Sequence, residues 1–137
     1  MSWDQIKEDL KPLAKYEVVV FGSFVSGGYR EGSDIDVAVI TITRDERKNI
    51  SILKELFTRV SSVYDLRIFE LLPLKVKASI MENYTVVFGD EIEISEYFYY
   101  WRKLWDDVKH RISYHKSYKE RLTALERGRR IKEKYKT

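Results

Sequence analysis

The sequence predicts an α+β fold, an αβαβαβ core followed by a long C-terminal helix. Three observations carry that reading. Apolar strand-like runs, "YEVVVFG", "SDIDVAVITI" and "VYDLRIFELL", alternate with segments whose apolar residues recur at helical spacing. From residue 94 onward, apolar and aromatic positions fall three and four apart as far as Leu125, the seam of a long helix. No internal repeat or low-complexity linker interrupts this order.

Taken in turn, Trp3, Ile6, Leu10 and Leu13 stand at helical spacing behind Ser2, with Gln5 three residues on, so a capped amphipathic helix opens the chain. "YEVVVFG" is apolar on both faces and therefore reads as a central strand. "SDIDVAVITI" is the next strand. "ISILKELFTRV" is a helix that turns Ile50, Leu53, Leu56, Phe57 and Val60 to the sheet. "VYDLRIFELL" is the third strand, ended by Pro73, and a short helix from about Lys75 to Asn83 leads into a small strand, "TVVFGD". Residues 1–93 thus form the core domain, and residues 94–137 are a basic helical extension of the same domain. That extension is one long helix or a broken pair. Its seam consists of Ile94, Tyr97, Trp101, Leu104, Val108, Tyr118, Leu122 and Leu125, interrupted by Arg111 and His115. Beyond Gly128 the residues are nearly all charged, and fraying is expected there.

At 137 residues the chain holds one domain's core and no second large one. Hydrophobic residues at 44% and charged ones at 34% describe a soluble globular protein, and no apolar run approaches the roughly 20 residues of a membrane span. "MSWDQIKEDLKPL" has no apolar core of a signal peptide, so a cytoplasmic location is expected. The absence of cysteine excludes disulfides, thiolate metal sites and thiol nucleophiles. With two histidines in the chain, a metal would have to be held mainly by carboxylates, which favours Mg²⁺ or Mn²⁺. Charge is unevenly placed. Residues 101–137 carry thirteen Lys/Arg against five Asp/Glu, a net +8, so the remainder of a chain of net +3 is at −5. Such a tail suits an anionic partner or a solvated charged helix.

The stretch "FGSFVSGGYREGSDIDVAVI", residues 21–40, carries the chemistry. Asp34 and Asp36 are two apart at a strand opening and so share a face, while Ile35, Val37 and Val39 face the other layer. Two carboxylates about 5 Å apart repel by on the order of 3 kcal/mol at an effective dielectric near 20, so a counter-charge is expected between them. A divalent cation with oxygen ligands fits that need. Asp65 opens the neighbouring strand-like run and could bring a third carboxylate, with Arg67 and Phe69 on its face. Gly22-Ser23 ends a buried strand just before a glycine-rich loop, where exposed backbone N–H groups suit a phosphate. A phosphate cradle followed by metal-binding acids is an order suited to phosphoryl chemistry on a nucleotide.

"GS", ten residues and then "DID" resembles the signature of the DNA polymerase β-like nucleotidyltransferase superfamily, and the whole stretch is most similar to its minimal nucleotidyltransferase branch. The likeness covers residues 16 to about 72. It implies a mixed sheet with helices on one side, and transfer of a nucleoside monophosphate from a Mg²⁺-bound NTP to a hydroxyl, by two-metal catalysis with release of pyrophosphate. By the same likeness, Gly22 and Ser23 would hold the triphosphate, Asp34 and Asp36 the metals, and Asp65 would be the third metal ligand and base. Ser33, Arg30 and Arg67 are further nucleotide-binding candidates. Family members often have an arginine where this chain has Ser26, a charge that Arg30 or Arg67 would have to replace. Many proteins of that branch adenylylate a tyrosine on an all-helical HEPN-domain toxin, so the resemblance implies ATP as substrate and a HEPN-type partner.

Two other classes of function fit parts of the chain. One is a non-catalytic antitoxin-like module that neutralises a helical partner; the other is a nucleic-acid-binding protein using the basic C-terminal helix. "RISYHKSY" resembles the Arg-spacer-His motif of HEPN ribonucleases, but its spacer is shorter, and Arg111 and His115 read better as a polar break that sets helix register. A helix over residues 94–125 would be roughly 47 Å long, longer than one small domain, which makes a homodimer through 94–125 an expectation.

Overall fold

The computed structural model describes the backbone of residues 1–134 and the side chains of residues 1–112, 119 and 121. Helix α1, Trp3–Asp9, starts at Ser2, whose hydroxyl accepts the Gln5 N–H at 3.2 Å. The Gln5 side chain instead donates to Asp9 Oδ1 at 2.8 Å, so only one arm of the expected cap forms. Pro12 lies in a 3₁₀ turn, Lys11–Leu13, which carries Leu13 inward with Ile6 and Leu10; all three are fully buried. There follow β1 (Glu17–Phe21), α2 (Ser23–Ser26), β2 (Ile35–Ile40), α3 (Glu46–Phe57), β3 (Tyr64–Ile68), α4 (Leu74–Glu82), β4 (Tyr84–Phe88) and α5 (Glu91–Lys134).

The four strands form a mixed sheet in the order β3-β2-β1-β4. β1 is antiparallel to β2 and β4, and β2 is parallel to β3. Strand alternation places Val18, Val20, Ile35, Val37, Val39 and Leu66 in one core with Ile6, Leu10 and Leu56 of the covering helices. Each such aliphatic side chain stabilises the fold by about 1.5–3 kcal/mol on leaving water. On the opposite face the register sets Asp65, Asp36, Phe21 and Tyr84 in one row across the sheet, with Arg67, Ala38, Val19 and Val86 in the next.

Helix α3 begins four residues earlier than its apolar pattern, because Asp45 caps it by accepting the Lys48 N–H at 3.3 Å. Its buried stripe is also rotated. Leu56 is buried and Leu53 and Val60 pack on the core, but Ile50 and Phe57 are 38% and 55% exposed. The cause is Asn49, which is buried: it accepts from the Thr41 hydroxyl at 2.7 Å and donates to Thr43 O at 2.9 Å, so a polar residue fills the first inward position.

β3 stops at Ile68, four residues short of the expected end, and Phe69–Leu71 curl into a 3₁₀ turn. Glu70 explains the curl. Its carboxylate accepts from the backbone N–H groups of Thr41 and Ile42, each at 3.0 Å, from the Thr41 hydroxyl at 3.2 Å and from the Tyr97 hydroxyl at 2.7 Å. Burial, reinforced by that carboxylate, pushes the Tyr97 hydroxyl well above its usual range. Glu70→Ala is therefore expected to cost about 2–3 kcal/mol, because half-buried donors lose a charged acceptor. Thermal melting should show a fall of roughly 5–10 °C. A melting temperature equal to wild type would mean that water satisfies the same donors.

The chain divides into two compact units, Met1–Arg102 and Lys103–Thr137. α5 is one helix through Gly128, not a broken pair. Its first turns belong to the first unit, where Ile94, Phe98 and Trp101 are buried and the Phe98 ring lies 4.9 Å from those of Phe69 and Tyr84. The start of the predicted seam thus covers the chain's own core. In the second unit Leu104 and Ile112 are exposed, and Arg111 pairs with Asp107, one turn earlier, at 3.2 Å. His115, Tyr118, Leu122 and Leu125 lie outside the described side chains. Among the described residues no helix is long and apolar enough to cross a membrane.

Candidate active site

Gly22 joins the end of β1 to the start of α2. Its φ of +77° and ψ of −150° turn the chain sharply, and its carbonyl accepts the N–H groups of Val25 and Ser26 at 3.1 and 3.0 Å. The first N–H groups of α2, which begins at Ser23, have no partner within the helix. A side chain at Gly22 would collide with the Asp36 carboxylate, whose Cγ stands 3.2 Å from the place of a Cβ. Glycine is thus required both by the turn and by the closeness of that acid.

Asp36 and Asp65 are register partners on the parallel strands β2 and β3. Burial raises the Asp36 carboxyl above its ordinary value of 3.8, followed by the charge of Asp65 and a hydrogen bond with it; Asp34 adds less and Arg67 opposes. The tightest carboxylate pair is therefore Asp36 with Asp65, not Asp34 with Asp36. The reason is geometric: neighbouring strands lie about 4.8 Å apart, whereas residues two apart along a strand are separated by about 6.6 Å. Asp34 is exposed and precedes the first residue of β2.

Asp65 Oδ2 accepts from Arg67 Nη2 at 3.2 Å, with both side chains partly exposed. Among the described residues, no three acidic or histidine side chains already stand close enough to hold one metal ion. The donor chemistry nevertheless fits a hard divalent cation, since Asp36, Asp65 and Asp34 supply oxygen ligands and the charge of Asp65 on Asp36 exceeds the opposing charge of Arg67. Asp65 would join such a set with Oδ2 already engaged by Arg67.

The loop residues divide. The Ser33 N–H closes a turn onto Arg30 O at 3.0 Å, and Gly32 follows the left-handed φ of +89° that this turn needs. Ser33 and Asp34 line a pocket of about 330 Å³ with Tyr29, Glu31 and Val63. Arg30 is exposed, Arg67 is engaged by Asp65, and Ser26 is itself exposed in α2. Sequence reasoning missed two groups. Trp3, Phe24 and Tyr29 form an edge-on chain with centroids 5.0 and 4.9 Å apart behind that loop. Phe57, Ser61 and Ser62 line a second pocket, of about 260 Å³, bordered by Asp34 and Asp65. Neither group has a periodic signal, because each joins residues from separate elements.

The family model described as "Nucleotidyltransferase domain" matches residues 3–88. The chain belongs to the nucleotidyltransferase domain family. Its match ends with β4, so it embraces Gly22, Asp34, Asp36 and Asp65 and leaves out α5. This nucleotidyltransferase domain is 37% identical over 97 residues to the Methanocaldococcus jannaschii protein named "Putative protein adenylyltransferase MJ1547", covering 71% of this chain and 75% of that one. Two solved structures share the fold. One, described as a toxin-antitoxin with AMP-PNP, has a TM-score of 0.62 at 17% identity, covering 81% of this chain and 92% of its own. The other is a tri-AMPylated Shewanella oneidensis HEPN toxin in complex with an MNT antitoxin, with a TM-score of 0.57 at 14% identity, covering 80% and 92%.

Proposed function

We propose that this nucleotidyltransferase moves AMP from ATP to a hydroxyl on a protein partner. The observation that carries the reading is the carboxylate pair Asp36–Asp65 set against the backbone of Gly22, at the edge of a family-matched core. Gly22 and Ser23 bind the triphosphate through backbone N–H groups, and Ser33 lines the adjoining pocket. Asp34, Asp36 and Asp65 would hold Mg²⁺ or Mn²⁺, which when bound neutralises charge on the phosphates of donor and leaving group. Asp65 takes the proton of the attacking hydroxyl, and Arg67, freed from it, supplies positive charge near the phosphates in place of the loop arginine that Ser26 lacks. Support for a protein acceptor comes from the M. jannaschii relative's name, and support for a HEPN-type partner comes from the Shewanella oneidensis complex that shares the fold.

The test follows the label. With the full chain, Mg²⁺ and a protein extract, α-³²P-ATP should mark a protein band while γ-³²P-ATP should not, since pyrophosphate leaves. Retention of the γ label would make the chain a kinase. Label recovered on RNA alone would replace the protein acceptor by a nucleic acid, and absence of any transfer would favour a non-catalytic antitoxin-like module.

A further inference from the structure

We propose that the outer edge of β4 is a docking site for an extended segment of a partner protein, which adds to the sheet as a fifth strand and leads with a basic residue. The inference goes beyond the transferase reading, and nothing in it depends on the chemistry at Asp36. β4 ends the sheet, and among the described residues its one strand neighbour is β1. In an edge strand alternate N–H and C=O groups point away from the sheet, where they form a template for another chain. Outside the ladder to β1, no hydrogen bond among the described residues uses the β4 backbone. The two edges of the sheet differ. β3 carries Asp65 and Arg67 within its five residues, charges of the kind that keep an edge from pairing. β4 reads YTVVF, without charge or proline, and all five residues are half-buried. Its one irregularity is a bulge, where the register with β1 passes from Val86 to Phe88 over Val87. Residues 84–86 are left as a regular, uncharged, open edge.

Charge identifies the occupant. β4 runs into Gly89, and a Cβ there would stand 3.0 Å from Glu17 Cγ, so the Glu17 side chain lies against this turn. Glu17 Oε2 is buried without a hydrogen-bond partner. Burial raises the Glu17 carboxyl above its ordinary value of 4.5, and the charges of Glu93, Asp90 and Glu70 raise it further. The charges that act on it most are all negative, so this end of the edge lacks a counter-charge. A segment running antiparallel to β4, the more stable sense, brings its leading end to this turn, where a lysine or arginine supplies what is missing. A second copy of this chain fits badly. Two β4 strands paired antiparallel about Val86 set Glu82 of each copy opposite Asp90 of the other, and like charges directly opposite are destabilising. The occupant is therefore a strand-forming segment of another protein, held by main-chain hydrogen bonds and chosen by its leading charge. Seated there, it lies three strand spacings, about 14 Å, from the strand of Asp36.

The experiment adds the probe acetyl-Lys-Arg-Val-Thr-Val-Thr-Val-amide to the full chain, without nucleotide or metal, and follows backbone amides by NMR. Saturable shifts at Tyr84, Thr85, Val86 and Gly89 are expected, with slower hydrogen exchange at alternate β4 amides. A probe with glutamates in place of its two basic residues should bind at least about tenfold more weakly. Glu93→Gln should weaken the basic probe by about threefold to tenfold while the rest of the amide spectrum stays in place. Two further probes are N-methylated at alternate residues, one on the valines and one on the threonines. Only one set of amides faces β4, so one of these probes should lose binding and the other keep it. Shifts that saturate at β3 instead of β4, the same outcome for both N-methylated probes, or equal affinity of the acidic probe would each overturn the proposal. So would a wild-type chain that sediments as a dimer with its β4 amides already protected, which would give the edge to a second copy.

Discussion

Asp36→Asn is expected to abolish nucleotidyl transfer, by at least about 100-fold, while leaving the fold as stable as wild type or more so. Both effects come from one cause. Asp36 is half-buried beside Asp65 and against Gly22, and burial and its acidic neighbours raise its carboxyl above 3.8. The folded protein therefore holds this proton more tightly than the unfolded chain does. Stability linked to the group is fully present below the unfolded value and is lost as pH rises through the raised folded value. At neutral pH the charged form is a cost to the fold, and asparagine of the same shape removes it. Without divalent metal, Asp36→Asn should melt at or above wild type at pH 7.5, and the gap should close as pH falls toward 4. A variant that melts well below wild type at pH 7.5 would show that the carboxylate is compensated in the resting protein. Retained transfer would remove Asp36 from the chemistry.

The residues that could be read from sequence are those whose signal is local. The cap at Ser2, the strand β1 and the Gly22-Ser23 step depend on neighbours within a few positions, and each lies where its pattern places it, while β2 is two residues shorter at each end than its pattern and leaves Asp34 outside it. Glu70 shows the opposite case. In "RIFELL" it reads as an acid at the end of a strand, but its four donors come from Thr41, Ile42 and Tyr97, 27 to 29 residues away in the chain. A three-four spacing anchored on Tyr97 and Trp101 passes over Phe98, whereas the packed face of α5 is Ile94, Phe98 and Trp101. The same limit applied to the site. The run "YDLRIF" puts Asp65 on a neighbouring strand, but the tight pair it makes with Asp36 depends on a parallel register that no local spacing encodes. Asn49 misdirected α3 in turn, since a polar residue in a buried stripe is visible only through the loop carbonyl and hydroxyl that satisfy it.

Gly22→Ala should be the most damaging small substitution in the glycine loop, lowering the melting temperature by on the order of 10 °C and transfer by about 100-fold or more. Two costs add. The backbone at φ +77° and ψ −150° lies where glycine alone is at ease, a strain of about 1–3 kcal/mol for any other residue. The new methyl would also meet the Asp36 carboxylate, so either the strand end or the acid must move. Gly27→Ala isolates the first cost. Gly27 has a left-handed φ of +95° with nothing within 4 Å of a Cβ, so it should destabilise by backbone strain alone and keep its affinity for AMP-PNP with Mg²⁺. The second cost is isolated by combining Gly22→Ala with Asp36→Ala. If the methyl and the carboxylate collide, the double variant should be more stable than the sum of the single changes predicts, with a coupling of roughly 0.5–3 kcal/mol, while transfer stays lost. Additive melting data would mean that the collision is relieved elsewhere, and that Gly22 is kept for its turn and not for the acid it faces.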